Sequence, residues 1–212
     1  MNLILIGASG FIGTALLDEA MARGHYVTAL VTRPERLAPR ERLRPLKADV
    51  FDTSALRTQF EGADAVISAF SGHAQADVFD YYVAGTRSTI SAAIGAQIPR
   101  LLVVGGAGTL EVAPGVQLID TPAFPAAYRA TAEGAREALA LLRGQNELDW
   151  TMLSPSAVIA PGARTGVFRL GGDQLLTAAD GSSRISVEDY AVAMLDEVER
   201  PAHARQRFTV GY

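Results

Sequence analysis

Short apolar runs alternate with amphipathic stretches along most of the chain. Leu3-Ile4-Leu5-Ile6 is continuous and ends at a glycine, as in a strand buried on both faces of a parallel sheet. Phe11 to Arg23 follows with Ile12, Leu16, Leu17 and Ala20 on one helical face, and Gly24 is placed to cap it. The same reading predicts strands at Tyr26–Thr32, Leu46–Val50, Asp64–Phe70, Leu101–Val104, Trp150–Leu153 and Arg207–Val210. Helices are predicted at Thr53–Phe60, Asp77–Gln97, Ala126–Leu142 and from Ser186 to about Glu199, the last opened by the capping-box pattern Ser186-Val-Glu-Asp189.

Between these elements lie an arginine- and proline-rich loop at Pro34–Pro45 and an aperiodic loop at Thr109–Pro125. Val167–Leu170 and Leu175–Ala178 are candidate short strands around a turn at Asp180-Gly181. Repeated β-α-β units with right-handed crossovers imply an α/β fold: a Rossmann-like, doubly wound parallel sheet. Its irregular C-terminal third packs over the strand ends. With no linker, repeat or low-complexity tract, residues 1–212 read as one domain.

The composition narrows the chemistry. The 212 residues are 49% hydrophobic and 20% charged, a globular balance, and a chain of this size buries roughly 70% of its unfolded surface. There is no cysteine, which removes disulfide, thiolate and iron–sulfur chemistry. His25, His73 and His203 have no ligand-like spacing. The net charge of −4 gives no nucleic-acid footprint, no apolar run is long enough for a membrane span, and the N-terminus lacks a secretory pattern. A cytoplasmic monomer or homodimer acting on a small molecule is expected, without nucleic-acid or membrane partners.

Gly7-Ala8-Ser9-Gly10-Phe11-Ile12-Gly13 stands between the first strand and the first helix. In such a turn the first glycine allows the tight bend. The second lets the backbone approach a pyrophosphate, and the third brings helix and strand together, with free N–H groups facing the phosphates. Arg33 lies about twenty residues after the last glycine, where the ribose discriminator is expected. No acid stands there to take a ribose hydroxyl. A guanidinium, aided by Ser9, suits a 2′-phosphate, so NADPH is expected over NADH.

This turn, with Gly105-Gly106-Ala107-Gly108, Leu153-Ser154-Pro155 and Arg184-Ile-Ser-Val-Glu-Asp-Tyr190, resembles the atypical short-chain dehydrogenase/reductase superfamily. Within it, the chain is most similar to the NAD(P)H-binding group described as NADH-flavin reductases, related to biliverdin reductase B and NmrA-like proteins. The resemblance implies that Asp49 and Val50 border the adenine. It also implies that Ser154 and Pro155 lie near the nicotinamide. Ser68, Ala69 and Phe70 end the fourth strand where the cofactor would cross, and Gly105 and Gly106 end the fifth beside the nicotinamide ribose. Phe11 and Ile12 complete the phosphate turn.

Many short-chain dehydrogenases protonate substrate through a Tyr-x-x-x-Lys pair. Here the best-placed tyrosine, Tyr128, is followed four residues on by Ala132, and Lys47 is the only lysine in the sequence. Tyr128 is therefore the one catalytic candidate. The expectation is hydride transfer from NADPH to a flat acceptor, with FMN or another flavin or a quinone as substrate. The alternatives are a redox-sensing NADP(H)-binding regulator and a sugar-nucleotide epimerase or dehydratase. Arg129 and Glu133 read as a surface pair on one helix. Arg164 reads as either an anion contact or surface.

Overall fold

The computed structural model describes residues 1–72 and 76–212. His73 lies outside the described residues. The chain runs β1 (Asn2–Ile6), α1 (Phe11–Ala22), β2 (Tyr26–Val31), β3 (Leu43–Lys47), α2 (Thr53–Phe60), β4 (Ala65–Ser68), α3 (Val78–Gly95) and β5 (Leu101–Val104). It continues with β6 (Glu111–Ala113), β7 (Val116–Gln117), α4 (Arg129–Arg143), β8 (Trp150–Ser154), β9 (Val158–Ala160), β10 (Arg169–Gly171), β11 (Arg184–Ser186), α5 (Val187–Glu199) and β12 (Gln206–Gly211).

Eight strands form one sheet in the order β10-β12-β8-β5-β4-β1-β2-β3. Every pairing is parallel except β10 with β12. The chain winds outward from β1 through β2 to β3, then returns to β4 on the other side of β1. That reversal opens a crevice at the carboxyl ends of β1 and β4, the place where such sheets bind ligands. Alternation explains the apolar run of β1. Leu3 and Leu5 enter the core shared with α1 and α5, while Ile4 and Ile6 enter the core beneath α2, α3 and α4. Each such burial contributes about 1.5–3 kcal/mol.

Several boundaries differ from the sequence reading. The third strand is Leu43–Lys47 rather than Leu46–Val50, and it includes Pro45. β3 is an edge strand paired only with β2, so a residue without an N–H is tolerated there. The Thr109–Pro125 loop contains the β6–β7 hairpin and 3₁₀ turns. Of the two candidate strands in the last third, one becomes β10, shifted to Arg169–Gly171. The other, Leu175–Ala178, is not a strand. β9 was not anticipated, and it pairs in parallel with β11 in a separate small sheet. α4 begins at Arg129, preceded by a 3₁₀ turn at Ala126–Tyr128. Ser186 caps α5 as expected, accepting from the Asp189 amide at 3.0 Å. The reciprocal half of the capping box is not made. The Asp189 carboxylate instead accepts from the Thr165 and Gly166 amides and the Thr165 and Tyr212 hydroxyls.

At the opposite, amino-terminal edge of the sheet, Glu197 of α5 is 4% exposed and ties three strands together. Its carboxylate accepts from Arg100 at 2.9 Å, from the His203 amide at 2.9 Å and from the Ala202 amide. His203 Nδ1 lies 2.8 Å from its other oxygen. Arg100 also donates to Thr151 of β8. Burial alone would raise the Glu197 carboxyl pKa. The contacts from His203, Arg100 and the Ala202 amide outweigh burial and hold it below its ordinary value of 4.5.

A lowered folded pKa stabilises the fold above the unfolded value, and that contribution is lost as pH falls through the folded value. Melting temperature should therefore drop in acid, below about pH 4.5. Glu197→Gln should cost about 2–4 kcal/mol at neutral pH. Its deficit should narrow as the pH is lowered. Parallel melting curves for the two proteins across that range would contradict the assignment.

Candidate functional site

The first β-α connection is built around two contacts that exclude side chains. Gly7 has φ +78°, and a Cβ there would stand 2.7 Å from the Ala69 carbonyl oxygen at the end of β4. A Cβ on Gly13 would fall 2.0 Å from the Gly7 carbonyl oxygen. Backbone therefore packs directly on backbone, and α1 starts flush with the ends of β1 and β4. Gly10 differs. Its φ is −81°, and a Cβ would meet only the Gly7 carbonyl, at 3.3 Å. Gly10 matters less for the fold than for what can approach the turn.

The Gly7 amide is held by the Leu30 carbonyl at 3.0 Å and the Gly10 amide by the Gly7 carbonyl at 2.9 Å. Among the described residues, the amides of Phe11, Ile12 and Gly13 have no acceptor. Gly10 offers no side-chain cap, and the first turn of α1 has no acid. Three donors at the positive end of a helix are thus left for an anion.

Beside this turn lies a cleft of about 400 Å³ lined by Ser9, Thr14, Thr32, Arg33, Arg36, Leu37 and Arg40. Arg40 pairs with Asp18 of α1. The side chains of Arg33 and Arg36 have neither a hydrogen bond nor an ion pair among the described residues, so two exposed guanidinium groups line the same cleft as Ser9. A second groove, about 390 Å³ between β3 and the end of α2, includes Asn2, Tyr26, Arg44 and Glu61. It lies at the amino ends of β1 and β2, away from the glycine turn.

The remaining predicted residues distribute along the carboxyl ends of the strands. Asp49 and Val50 lie beyond β3 rather than at its end. Asp49 is exposed and closes its turn through the Phe51 amide at 3.0 Å, while Val50 is buried. Ser68 is the buried last residue of β4, and Ala69 and Phe70 follow it half-buried. The Phe70 ring turns toward α3. It stacks on Tyr81 and Tyr82, and a Cβ on Gly85 would lie 2.4 Å from it. Phe11 is 53% exposed at the start of α1.

Gly105 and Gly106 leave β5 beside the end of β8. A Cβ on Gly105 would stand 2.9 Å from the Ser154 hydroxyl oxygen. Ser154 and Pro155 are both buried, and the Ser154 hydroxyl has no hydrogen-bond partner. An unmet buried hydroxyl costs about 1–3 kcal/mol, and this one lies at the crevice side of the sheet.

Tyr128 caps α4 and is 59% exposed. The position where a lysine would stand, Ala132, packs so closely on Gly108 that a Cβ there would lie 2.8 Å from it. Tyr82 keeps its proton, because burial pushes its pKa up to about 12. Arg129 and Glu133 do not pair. Glu133 lies 3.4 Å from Arg136, and Arg129 donates to the Ile119 carbonyl. Arg164 bonds Glu19 of α1 with two nitrogens, at 2.7 and 2.8 Å. The bonds from Arg164, aided by those from Arg23, outweigh burial and hold the Glu19 carboxyl below the usual range.

The unfilled helix end, the side-chain-free cradle and the orphaned Ser154 hydroxyl together suit a bound dinucleotide. The profile of the NAD(P)H-binding family matches residues 7–198. The chain belongs to this family. Over 213 residues it is 43% identical to the uncharacterised protein YwnB of Bacillus subtilis, covering 99% of this chain and 98% of that one. A candidate epimerase from Bacteroides thetaiotaomicron superposes with a TM-score of 0.94 at 43% identity, covering 100% of this chain and 96% of its own. A candidate NADH-flavin reductase from Streptococcus pneumoniae superposes at 0.88 with 35% identity, covering 100% and 99%. The family member described here has an oxidoreductase-like fold, and no helix among its described residues is long and apolar enough to cross a membrane.

Two substitutions separate the roles of the glycines. Gly10→Val should fold with nearly unchanged melting temperature and lose at least tenfold in NADP(H) affinity, measured by calorimetry. Gly13→Val should fail to fold, because its side chain has no space against the Gly7 carbonyl. A folded Gly10→Val protein with wild-type affinity would contradict the phosphate assignment.

Proposed function

We propose that the protein is an NADPH-dependent reductase that delivers hydride to a flat redox acceptor, a flavin or a quinone. The observation that carries the cofactor choice is the pair of unpaired guanidinium groups, of Arg33 and Arg36, lining the same cleft as Ser9 beside the glycine turn. In this reading the free amides of Phe11, Ile12 and Gly13 hold the pyrophosphate, and Arg33 with Ser9 holds the 2′-phosphate. Asp49 and Val50 border the adenine. Ser68, Ala69, Gly105 and Gly106 form a floor of small residues across the crevice, with Phe70 behind it. Ser154 offers its hydroxyl next to Pro155.

When bound, NADPH supplies a hydride, two electrons and one proton, and the acceptor's second proton comes from water. The chain's task is then to position two rings and keep the crevice closed around them. The side chains support an acceptor that needs no strong general acid. Tyr128 has no lysine partner, and the place for one is filled by Ala132 against Gly108. That geometry disfavours the epimerase or dehydratase reading, whose substrates need proton transfer at carbon and oxygen. The Streptococcus neighbour's description as a candidate NADH-flavin reductase agrees with the flavin reading.

Loss of NADPH absorbance on adding FMN, riboflavin or a quinone tests the reaction. Tight cofactor binding with no turnover on any acceptor would favour a redox-sensing regulator instead. Arg33→Ala should weaken NADPH by about ten- to a hundredfold and leave NADH nearly unchanged. Equal losses for both cofactors would remove Arg33 from the 2′-phosphate. Tyr128→Phe should slow turnover less than about tenfold, since losing a true general acid costs about a hundredfold or more. A thousandfold loss, with cofactor affinity preserved, would restore the proton-donor role.

A further inference from the structure

Arg129 opens α4 beside the loop that leaves β5, and among the described residues no carboxylate pairs with it. Glu133 and Asp120, the acids nearest in the local chain, both turn to Arg136, at 3.4 and 2.7 Å. The Arg129 guanidinium is nevertheless fixed on two sides. Its Nη1 donates to the carbonyl of buried Ile119 at 3.1 Å, and its central carbon stands 5.8 Å from the centre of the Phe124 ring. Phe124 in turn rests on Gly108, where a Cβ would lie 3.5 Å from the ring edge. Gly108 follows Gly105 and Gly106, so this chain of contacts ties the cation to the loop bordering the acceptor's place.

The charge is not neutralised by a carboxylate among the described residues. It stands in the first turn of a helix, where the backbone dipole disfavours a cation. Arg129 is exposed, and its bond to the Ile119 carbonyl uses one of its five donors. Arg33 and Arg36 belong to a different cleft, across α1 on the β2 side.

We propose that Arg129 anchors an anionic substituent of the hydride acceptor, so that a flavin bearing a phosphate is bound in preference to a neutral flavin with the same ring. A guanidinium held by a ring and a carbonyl presents its fork to phosphate with less loss of side-chain freedom than a mobile one. The proposal rests on the reductase reading for the acceptor's location.

Flavin fluorescence titrations of the NADP⁺-saturated protein, with FMN and with riboflavin, test it. The wild-type protein should bind FMN roughly five- to tenfold more tightly than riboflavin at low salt. The ratio should shrink as salt is raised. In Arg129→Gln it should fall to near one, while Arg129→Lys keeps part of it because the charge remains. Melting temperature and NADP⁺ affinity establish that the variants are folded. Equal affinities in the wild-type protein, a ratio unchanged in Arg129→Gln, or binding of neither flavin would overturn the proposal. NADPH oxidation by riboflavin, measured separately, tests the reductase reading. Its absence alongside an intact phosphate preference would sink that reading and leave an anion-selective flavin site.

Discussion

The architecture of the site depends on a contact made without side chains. The Gly13 backbone lies against the Gly7 carbonyl, and Gly7 itself lies against the Ala69 carbonyl. These two approaches bring the start of α1 into the crevice between β1 and β4. Only because the helix starts there do its first amides face open space at the sheet's switch point. A methyl group at either position would push the helix away and carry the donors with it. The apolar alternation of β1, which sends Leu3 and Leu5 to one core and Ile4 and Ile6 to the other, supplies the rigid base for that contact.

Around this constraint the chain divides its charges. Arg100 and Arg164 meet buried carboxylates, and Arg207 pairs with Asp173, so these cations lock α5, α1 and the cover of the sheet in place. Among the described residues the side chains of Arg33 and Arg36 meet no carboxylate and line the cleft beside the glycine turn, while Arg129 at the start of α4 is held by a carbonyl. Unpaired guanidinium groups beside a helix N-terminus suit a phosphate brought from outside.

The sequence makes the local features readable. The glycine turn, the bounds of β5 and α2, and the capping role of Ser186 all follow from patterns a few residues long. It misleads where position in the sheet decides. Pro45 looks like a breaker, yet β3 needs no inner N–H because it is the edge. β9 and β11 are three residues each, and only their pairing makes them strands. Side-chain partnerships were the least readable. Helical spacing suggested Arg129 with Glu133, but the turn before α4 offers Arg129 a carbonyl and a ring while Arg136 takes the acid. Arg164 finds Glu19, 145 residues away in the chain. No local pattern encodes such a contact. The glycine turn and Arg33 carry the cofactor expectation, whereas the acceptor has to be argued from the site.

The central claim is that the glycine turn and the arginine-lined cleft beside it hold the dinucleotide. Amide-resolved NMR titration of the wild-type protein with NADP⁺ tests it most directly. The account predicts that the largest shifts fall on residues 7–13, Thr32 and Arg33, with Ser154 and Gly105 following. Shifts centred instead on Asn2, Tyr26, Arg44 and Glu61, at the groove on the opposite edge of the sheet, would contradict it.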